Sequence, residues 1–599
     1  MAVFKMFFLW VMRMFRNAIN VFFTVIALLI LLFTVASVWG MLSDKGLPPA
    51  IVLTLDLRGE MTDQPMPNPF GFGSTPLAVT DLVQGLERAE GDPRVKGIVI
   101  RVGGGSVAFA HAQEIRAALA SFRAQGKFVI THAQAFYTTG LSEFYLATTA
   151  DQIWLQPASM LNTAGIVTST VFLRGLFDLV GAEVFFAQRY EYKNAANVYT
   201  ETDYTDAHRE ATGGLINSIY ESLMGDMAAA RNMSADDFKA LINGGPYSTA
   251  TAIEAKLVDF AGFDDDAERA ALDRAGADSD TVDFHAYYAR ERSPYEAPMS
   301  GATVIALVSG EGGINDGYSG SSFSGDVIMG GDTLAQAIRD ATEDEEVRAI
   351  VFRVSSPGGS AIASDQILDA LRKARAAGKP VIISMGPVAA SGGYYVSLDA
   401  DWIFAQPATI TGSIGVLSGK INLTGAYNLI GLSPRTLSVG NNADAMSEFT
   451  GFTPEQWEKF NTQVDNIYWD FTQKVADGRS IPVDRVRYEI GKGRVWSGAD
   501  ALRLGLIDEF GGLRAAIAKA RDMSGGAADQ PVRVKVYPSP MSAWEQIMSA
   551  SVSVQSLSMK LARIAEALDM RGVRDMLTAL EAAEDPVMME TRMPALEMR

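Results

Sequence analysis

The sequence has no cysteine among its 599 residues, which excludes disulfide bonds, thiolate catalysis and zinc sites built from cysteine. Histidine is scarce too, and no two histidines have the spacing of a metal-binding helix, so no metal site is expected. A Ser-His-Asp triad stays open, although no pattern favours it. The net charge of −19 leaves no basic surplus to neutralise phosphates, which excludes nucleic acid as a partner. The four histidines, all in the first half of the chain, are His111, His132, His208 and His285.

One long apolar run lies near the start of the chain. Val21 to Leu42 carries no charged residue and is long enough to cross a bilayer core of roughly 30 Å. Lys5, Arg13 and Arg16 precede the run, so the positive-inside rule places residues 1–20 in the cytoplasm and the rest of the chain outside it. A cleaved signal peptide is the alternative, but its apolar core is normally only about 7–15 residues long. The pattern therefore predicts an uncleaved transmembrane anchor at 21–42.

Beyond this run the sequence repeats itself. Leu82–Val102 parallels Leu334–Val354 at an offset of 252 residues, and Ala150–Ala158 parallels Ala400–Ala408 at an offset of 250. Two copies of this length predict two similar domains and exclude a solenoid, which needs shorter and more numerous units. The predicted division, in chain order, is a first domain at 48–263, a linker at 264–300, a second domain at 301–525 and a tail with amphipathic helices at 526–599.

Each copy alternates apolar strands with amphipathic helices. In the first copy a strand at Ile51–Leu55 precedes a helix at Leu82–Glu90 and a buried strand at Ile98–Ile100. The second copy keeps the same order, beginning at Val304–Val308. Alternation of this kind is typical of α/β domains in which helices cover a parallel sheet. The predicted fold is therefore a tandem duplication of α/β domains behind one N-terminal transmembrane helix.

A glycine-rich stretch in the second copy, Met385–Tyr395, has the features of a nucleophile site. It follows the apolar run Pro380–Ser384 and leads into residues that can form a helix, so Ser391 would lie where a strand ends and a helix begins. The N–H of Gly392, at the start of that helix, can bind a developing negative oxygen. The alternative is an ordinary turn in which Ser391 only caps the helix.

A second glycine-rich stretch, Ser355–Ser360, follows the strand Ile350–Val354. Gly358 and Gly359 allow the backbone to approach a ligand closely and to aim N–H groups at it. Gly359 and Gly392 are therefore the candidate oxyanion donors. An ordinary turn is again the alternative, whereas a nucleotide phosphate loop is disfavoured because its Lys-Ser/Thr ending is missing.

Together with Thr411–Gly415 and Gly493–Gly498, these two stretches resemble the motifs of the signal peptide peptidase A (protease IV) family, in its long, duplicated bacterial form. The resemblance extends from the apolar run to about Gly512. It implies ClpP/crotonase-like domains and a serine endopeptidase with a Ser-Lys dyad that needs no cofactor. It also implies a homotetramer anchored in the bacterial inner membrane, with periplasmic catalytic domains that hydrolyse cleaved signal peptides.

The resemblance assigns three catalytic roles. The nucleophile falls on Ser391, the general base on Lys193 within Tyr190–Ala195, and the serine that orients the lysine on Ser413. The repeat agrees with this division, because each copy keeps only one member of the dyad. The residues at the matching positions of the other copy are Leu141 for Ser391, Ala443 for Lys193 and Thr163 for Ser413.

The proposed chemistry sets a condition on Lys193. A free lysine has a pKa of about 10.4 and is charged at neutral pH, so it can act as a base only when burial lowers its pKa. We therefore expect Lys193 to be enclosed, with no carboxylate beside it. Glu191 would share its face on an extended strand, which would oppose this expectation. Two other functions stay open on sequence alone: a crotonase-like acyl-CoA enzyme and a non-catalytic membrane scaffold that binds peptides.

Overall fold

The computed structural model describes residues 46–65, 76–104, 107–137, 140–162, 165–291, 301–321, 327–527 and 530–538. The predicted anchor at 21–42, the N-terminal residues 1–20 and the tail beyond 538 lie outside these ranges. None of the helices within these ranges combines the length and the apolar character that a membrane span requires.

The first half is built around a parallel sheet. Its strands, in chain order, are β1 (Ala50–Asp56), β2 (Met61–Thr62), β3 (Leu77–Ala78), β4 (Val95–Val102), β5 (Phe128–Ala133), β6 (Gln152–Leu155), β7 (Met160–Leu161), β8 (Glu183–Arg189), β9 (Tyr247–Ser248), β10 (Phe260–Ala261) and β11 (Ser279–Asp283). Six of them form one sheet in the order β10-β6-β5-β4-β1-β11, with every neighbouring pair parallel. Its helices are Val79–Gly91, Phe109–Ala124, Leu141–Ala147, Arg174–Val180, Asn197–Thr200, Asp206–Ala230, Ala235–Asn243, Thr249–Glu254, Asp264–Ala275 and Phe284–Glu291, with a 3₁₀ turn at Asn194–Ala196.

The second half repeats this plan. Its strands are β12 (Thr303–Glu311), β13 (Gly313–Asn315), β14 (Gly320–Ser321), β15 (Val327–Gly330), β16 (Val347–Ser356), β17 (Val381–Ala390), β18 (Trp402–Ala405), β19 (Ile410–Gly412), β20 (Val416–Asn422), β21 (Val495–Ser497), β22 (Glu509–Phe510) and β23 (Val532–Tyr537). A parallel path runs β22-β18-β17-β16-β12-β23, and β19 continues beside the end of β17. Its helices are Gly331–Glu343, Ala361–Ala376, Gly392–Tyr395, Thr424–Leu429, Pro454–Arg479, Val483–Arg485, Gly498–Leu504 and Leu513–Met523, with a π-turn at Val486–Ile490.

The two sheets match strand by strand, which confirms the predicted duplication and the α/β class. The central strands are buried on both faces, and for that reason they are continuous apolar runs in the sequence. The helix Gly331–Glu343 buries Leu334, Ile338 and Ala341, whose spacing of three to four residues produces a single apolar face against the sheet. Local pattern and tertiary packing therefore agree over most of both halves.

The predicted linker at 264–300 is wrong over its first part. Asp264–Ala275 is a helix, and β11 pairs in parallel with β1 as the edge strand of the first sheet. The acidic residues that suggested a linker lie in the first turn of that helix, where carboxylates interact favourably with the helix dipole. The first domain therefore extends to at least Glu291.

The predicted start of the tail at residue 526 needs the same correction. Val532–Tyr537 is β23, the edge strand of the second sheet, and it pairs in parallel with β12. This strand matches β11 of the first half, so the second domain ends with the same element as the first. An edge strand needs fewer apolar residues than a central one, and β11 was therefore inconspicuous in the sequence. β23 does alternate apolar and polar residues, a strand pattern that the sequence analysis missed.

A two-stranded ribbon joins the halves. β8 of the first half pairs antiparallel with β20 of the second half, from Glu183 opposite Asn422 to Arg189 opposite Val416. Because the chain leaves β8 at Arg189, the ribbon carries the following residues, including Lys193, into the second half.

A buried ion cluster also joins the halves. The fully buried guanidinium of Arg353, on β16, donates to Asp63 (Nη2 to Oδ1, 2.6 Å) and Glu114 (Nη2 to Oε2, 2.9 Å) of the first half. It also donates to the hydroxyl of Ser384 at 2.9 Å. Burial alone would raise the pKa of the Asp63 carboxyl, but Arg353 outweighs it and holds that pKa well below its usual range.

Arg353→Met is expected to lower the free energy of unfolding by about 3–5 kcal/mol, because it leaves two buried carboxylates without their counterion. The measurement is denaturant unfolding of the full chain in detergent, followed by tryptophan fluorescence. Arg101→Met is the matched control. Arg101 holds the equivalent position on β4, but its side chain is 32% exposed and pairs with surface carboxylates, so the expected loss is below about 1 kcal/mol. Equal losses in the two variants would contradict the role of the buried cluster.

Candidate active site

Ser391 lies at the junction that the sequence predicts. β17 ends at Ala390 and a short helix begins at Gly392, while Ser391 adopts φ 54° and ψ −117°. A positive φ is costly for a residue with a side chain, by about 1–3 kcal/mol, and persists only where the surroundings enforce it. Here the N–H of Ser391 donates to Gly412 O at 2.9 Å, and its carbonyl accepts from the N–H of Tyr395 at 2.9 Å. Its side chain makes no capping hydrogen bond, so the alternative of a helix-capping serine is wrong.

Lys193 reaches Ser391 from the other half. Its Nζ lies 3.0 Å from Ser391 Oγ, 2.9 Å from Ser413 Oγ and 2.9 Å from Ser413 O. The three side chains span 220 residues of sequence, yet they form one hydrogen-bonded group. The structure thus brings together the three residues that the resemblance to the protease IV family singled out.

The surroundings of Lys193 meet the expected electrostatic condition. The residue is only 6% exposed, and this burial lowers the pKa of its amine to about 7, so about half of the molecules carry a neutral amine at neutral pH. Burial is the only cause of the shift, because no described charged group offsets it. Glu191 lies in the turn after β8 and pairs with Lys492 at 2.8 Å, so it does not hold the charge of Lys193.

The two candidate oxyanion donors lie side by side. A Cβ atom on Gly392 would come within 3.1 Å of Gly359 N, and a Cβ atom on Gly358 would come within 2.7 Å of both Gly392 N and Ser391 Cβ. Gly358 and Gly359 have φ values of 104° and 154°, which only glycine adopts readily. Ile314 holds this loop, since its N–H donates to Gly358 O at 2.9 Å. Among described residues, the Gly359 and Gly392 N–H groups have no backbone acceptor, which leaves them available to a ligand.

The fourth motif of the sequence has a role that sequence reasoning missed. Gly493, with φ 83°, packs so closely on the lysine that a Cβ atom there would lie 2.3 Å from Lys193 Cβ. Its N–H donates to Ile414 O at 2.8 Å, and the carbonyl of the next residue, Arg494, accepts from Ser413 N at 2.8 Å. The motif Gly493–Gly498 therefore packs against Lys193 on one side and hydrogen-bonds to Ser413 and Ile414 on the other. The glycine was visible in the sequence, but its contact was not.

The repeat positions that match Ser391 and Lys193 in the opposite copy carry no nucleophile or base. Leu141, opposite Ser391, is buried at the start of a helix, while Ala443, opposite Lys193, lies exposed in a turn. Thr163, opposite Ser413, lies outside the described residues. The described part of the chain contains no cluster of side chains suited to a metal ion. Of the buried histidines, His111 bonds to Asp63 at 2.9 Å and His132 to the carbonyl of Gly262 at 3.2 Å, so neither contacts Ser391.

An α/β scaffold that holds a serine on a strained strand-to-helix turn, beside a dry amine and two glycine N–H groups, defines a serine protease. The sequence profile of Peptidase family S49 matches residues 121–278 and 373–525, one segment in each half. The chain belongs to this family, and the resemblance found in the sequence is confirmed. The acyl-CoA enzyme and the non-catalytic scaffold, which the sequence had left open, are set aside by this membership.

Individual relatives agree with the family assignment. The chain is 31% identical to "Serine protease SPPA, chloroplastic" of Arabidopsis thaliana over 503 residues, which are 83% of this chain and 73% of that protein. It is 32% identical to "Protease 4" of Salmonella typhi, over 79% of this chain and 78% of that protein. Among solved structures, a mutant of the membrane-bound stomatin-specific protease 1510-N aligns with 40% of this chain and 99% of its own, at 18% identity. The TM-score of that alignment, 0.26, is too low to bear on the fold.

Proposed function

We propose that this protease hydrolyses peptide bonds with a dyad of Ser391 and Lys193. The observation that carries the proposal is the 3.0 Å contact between a serine hydroxyl and a buried amine whose pKa is about 7. A serine hydroxyl is a weak nucleophile until a base removes its proton, and a neutral lysine amine can do so. Ser413, which contacts the same amine at 2.9 Å, orients it towards Ser391.

The reaction proceeds in two stages. Ser391 Oγ attacks the peptide carbonyl carbon while Lys193 Nζ takes the hydroxyl proton, and the N–H groups of Gly359 and Gly392 stabilise the resulting oxyanion. Lys193 then gives the proton to the departing amine as the C–N bond breaks, which leaves an ester on Ser391. A water molecule, deprotonated by Lys193, attacks the ester carbonyl carbon. Lys193 then returns that proton to Ser391 Oγ as the ester C–O bond breaks, which releases the carboxylic acid and restores the dyad. No metal or organic cofactor takes part in this scheme.

The proposed substrates are residual signal peptides and other apolar, unfolded peptides. Two points support this class. A similar protein of Enterococcus faecium, 32% identical over 35% of this chain, is named "Putative signal peptide peptidase SppA". The sequence-predicted anchor at 21–42 would keep the site beside the membrane. In this proposal residues 1–20 face the cytoplasm of a bacterium, and the ClpP/crotonase-like domains assemble as a homotetramer in the periplasm.

A serine-directed fluorophosphonate probe tests the nucleophile. We expect the probe to modify Ser391 of the full chain in detergent, as mapped by mass spectrometry of the digested protein, and to leave Ser391→Ala unlabelled. Ser418→Ala, on the neighbouring strand β20, should label as the unchanged protein does. Modification of a different serine, or labelling that survives Ser391→Ala, would overturn the assignment.

A further inference from the structure

The loop that carries the lysine, Tyr190–Lys193, has few hydrogen bonds of its own. The N–H of Lys193 donates to Tyr190 O at 3.0 Å and closes a turn. The N–H groups of Tyr190 and Tyr192 both donate to Lys492 O, at 2.9 and 3.2 Å. These bonds shape the loop, and the two residues where it leaves β8, Arg189 and Tyr190, make further contacts with the second half.

One face of the helix Pro454–Arg479 makes those contacts. Asn461, Asp465 and Tyr468 are spaced at i, i+4 and i+7, so they share one side of the helix, which we call the lysine-positioning face. The guanidinium of Arg189 donates from Nε to Asp465 Oδ1 at 2.5 Å, and from Nη2 to Asn461 O at 3.0 Å and Asn461 Oδ1 at 3.2 Å. The Arg189 side chain is only 11% exposed, whereas that of Asp465 is 39% exposed, so the guanidinium end of this fork is shielded from water and the carboxylate is partly solvated.

The third member of the face holds the next residue along the loop. The rings of Tyr190 and Tyr468 pack edge to face, with centroids 5.0 Å apart and planes at 86°. The Tyr468 hydroxyl donates to Arg487 O at 2.8 Å and accepts from the N–H of Lys492 at 3.2 Å. Burial raises the pKa of Tyr468 to about 12, so this hydroxyl stays neutral over the working pH range.

We propose that Asp465, with Asn461 and Tyr468, acts as a positioning residue for the reaction, holding Lys193 in dry contact with Ser391 through Arg189 and Tyr190. The inference rests on the proposed dyad. None of the three touches the reacting atoms. They determine instead whether the amine stays enclosed, and catalytic geometry of this kind is sensitive to displacements of about 1 Å.

The charged side chains around the loop are paired with one another, so the pKa of Lys193 depends on its burial, which the lysine-positioning face would maintain. Glu191 is paired with Lys492, and Asp465 with Arg189, whose hydrogen bond is the main cause of the lowered pKa of Asp465. If the loop loosens, water reaches Lys193 and its pKa moves back towards about 10.4. The other titratable or charged side chains near the loop are those of Tyr192, Glu210, Arg487, Tyr488 and Arg494.

The test is the pH dependence of kcat/KM for Asp465→Ala, measured on the full chain in detergent with a fluorogenic apolar peptide between pH 5 and 10. We expect activity at pH 7 to fall about 10–100-fold, because each unit by which the pKa of the base rises removes about tenfold of the neutral amine. Near pH 10 the activity should return to within about threefold of the unchanged protein. Asp465→Glu, which keeps the carboxylate, should restore most of the activity at pH 7.

Asp477→Ala provides the matched control, because Asp477 lies exposed on the same helix and bonds only to Gln473 among the described contacts. Its pH profile should match that of the unchanged protein. A loss in Asp465→Ala that is equal at every pH would indicate a merely structural role and overturn the proposal. If the activity of the unchanged protein shows no rise near pH 7 that depends on Lys193, the proposed dyad itself is wrong. This failure is seen in the unchanged protein, whereas a failure of the positioning role is seen only in Asp465→Ala.

Discussion

Lys193→Met is expected to lower kcat/KM by about ten-thousand-fold, because methionine keeps the apolar stem of the side chain but has no nitrogen to take the proton of Ser391. Peptide binding should change little, so the loss should appear in kcat rather than in KM. Steady-state hydrolysis of a fluorogenic apolar peptide by the full chain is the measurement. The double variant with Ser391→Ala should be no slower than either single variant, because the two groups act as one unit.

Lys420→Met is the control for this loss. Lys420 is also buried, at 2% exposure, and lies on β20 beside the site, but its Nζ donates to Ser447 O and lies over the ring of Phe452. Its replacement should alter stability without removing activity from the folded fraction. If Lys193→Met retained more than about a tenth of the activity, or Lys420→Met lost as much as Lys193→Met, the assignment of the base would be wrong.

The acid limb of the pH profile is the second large effect expected. The protonated amine cannot accept a proton, so kcat/KM should rise about tenfold per pH unit in acid and level off above a midpoint near 7. An ordinary solvated lysine would place that midpoint near 10.4 instead. The measurement is kcat/KM from pH 5 to 10 at constant ionic strength.

The pH dependence of folding stability should reveal the lowered pKa of Lys193 independently of catalysis. Between the folded pKa of about 7 and the unfolded value of about 10.4, the unfolded chain binds a proton that the folded chain does not. Stability should therefore rise with pH through this window in Ser391→Ala, and the rise should be smaller in Lys193→Met. A midpoint of activity near 10, or the same pH dependence of stability in both variants, would contradict a dry amine.

Local patterns were sufficient for the cores of the two sheets. β4, β16 and β17 are continuous apolar runs, and their buried positions follow directly from sequence. The edge strand β23 was assigned to a tail although its apolar and polar residues alternate as in a strand. The edge strand β11 was assigned to a linker because Ser279–Asp283 is mostly polar and owes its strand conformation to a partner strand. Pairing of that kind joins distant parts of the chain and leaves no local signal.

Prediction of the active site from sequence had a similar limit, because long-range contacts leave no local signal. The motifs pointed to Ser391, Gly392 and Gly359, since their chemistry is tied to short glycine-rich turns. The contacts that hold the lysine loop, from Asp465 and Gly493, come from distant parts of the second half. In the sequence, Asp465 looks like any solvent-exposed aspartate on an amphipathic helix, because its pairing with Arg189 exists only in the folded protein.

By itself, the amino-acid sequence determined that this protein is a duplicated α/β chain with a glycine-rich turn around Ser391, because strand periodicity and glycine turns are short-range patterns and the repeat is visible when the two halves are compared. The pairing of Ser391 with Lys193 came from the resemblance to the protease IV family. Only the tertiary structure decided that the two groups meet and that the amine has a pKa near 7. Both outcomes depend on the pairing of β8 with β20 and on exclusion of water from their junction, and burial is a property of the folded assembly of segments rather than of any one of them.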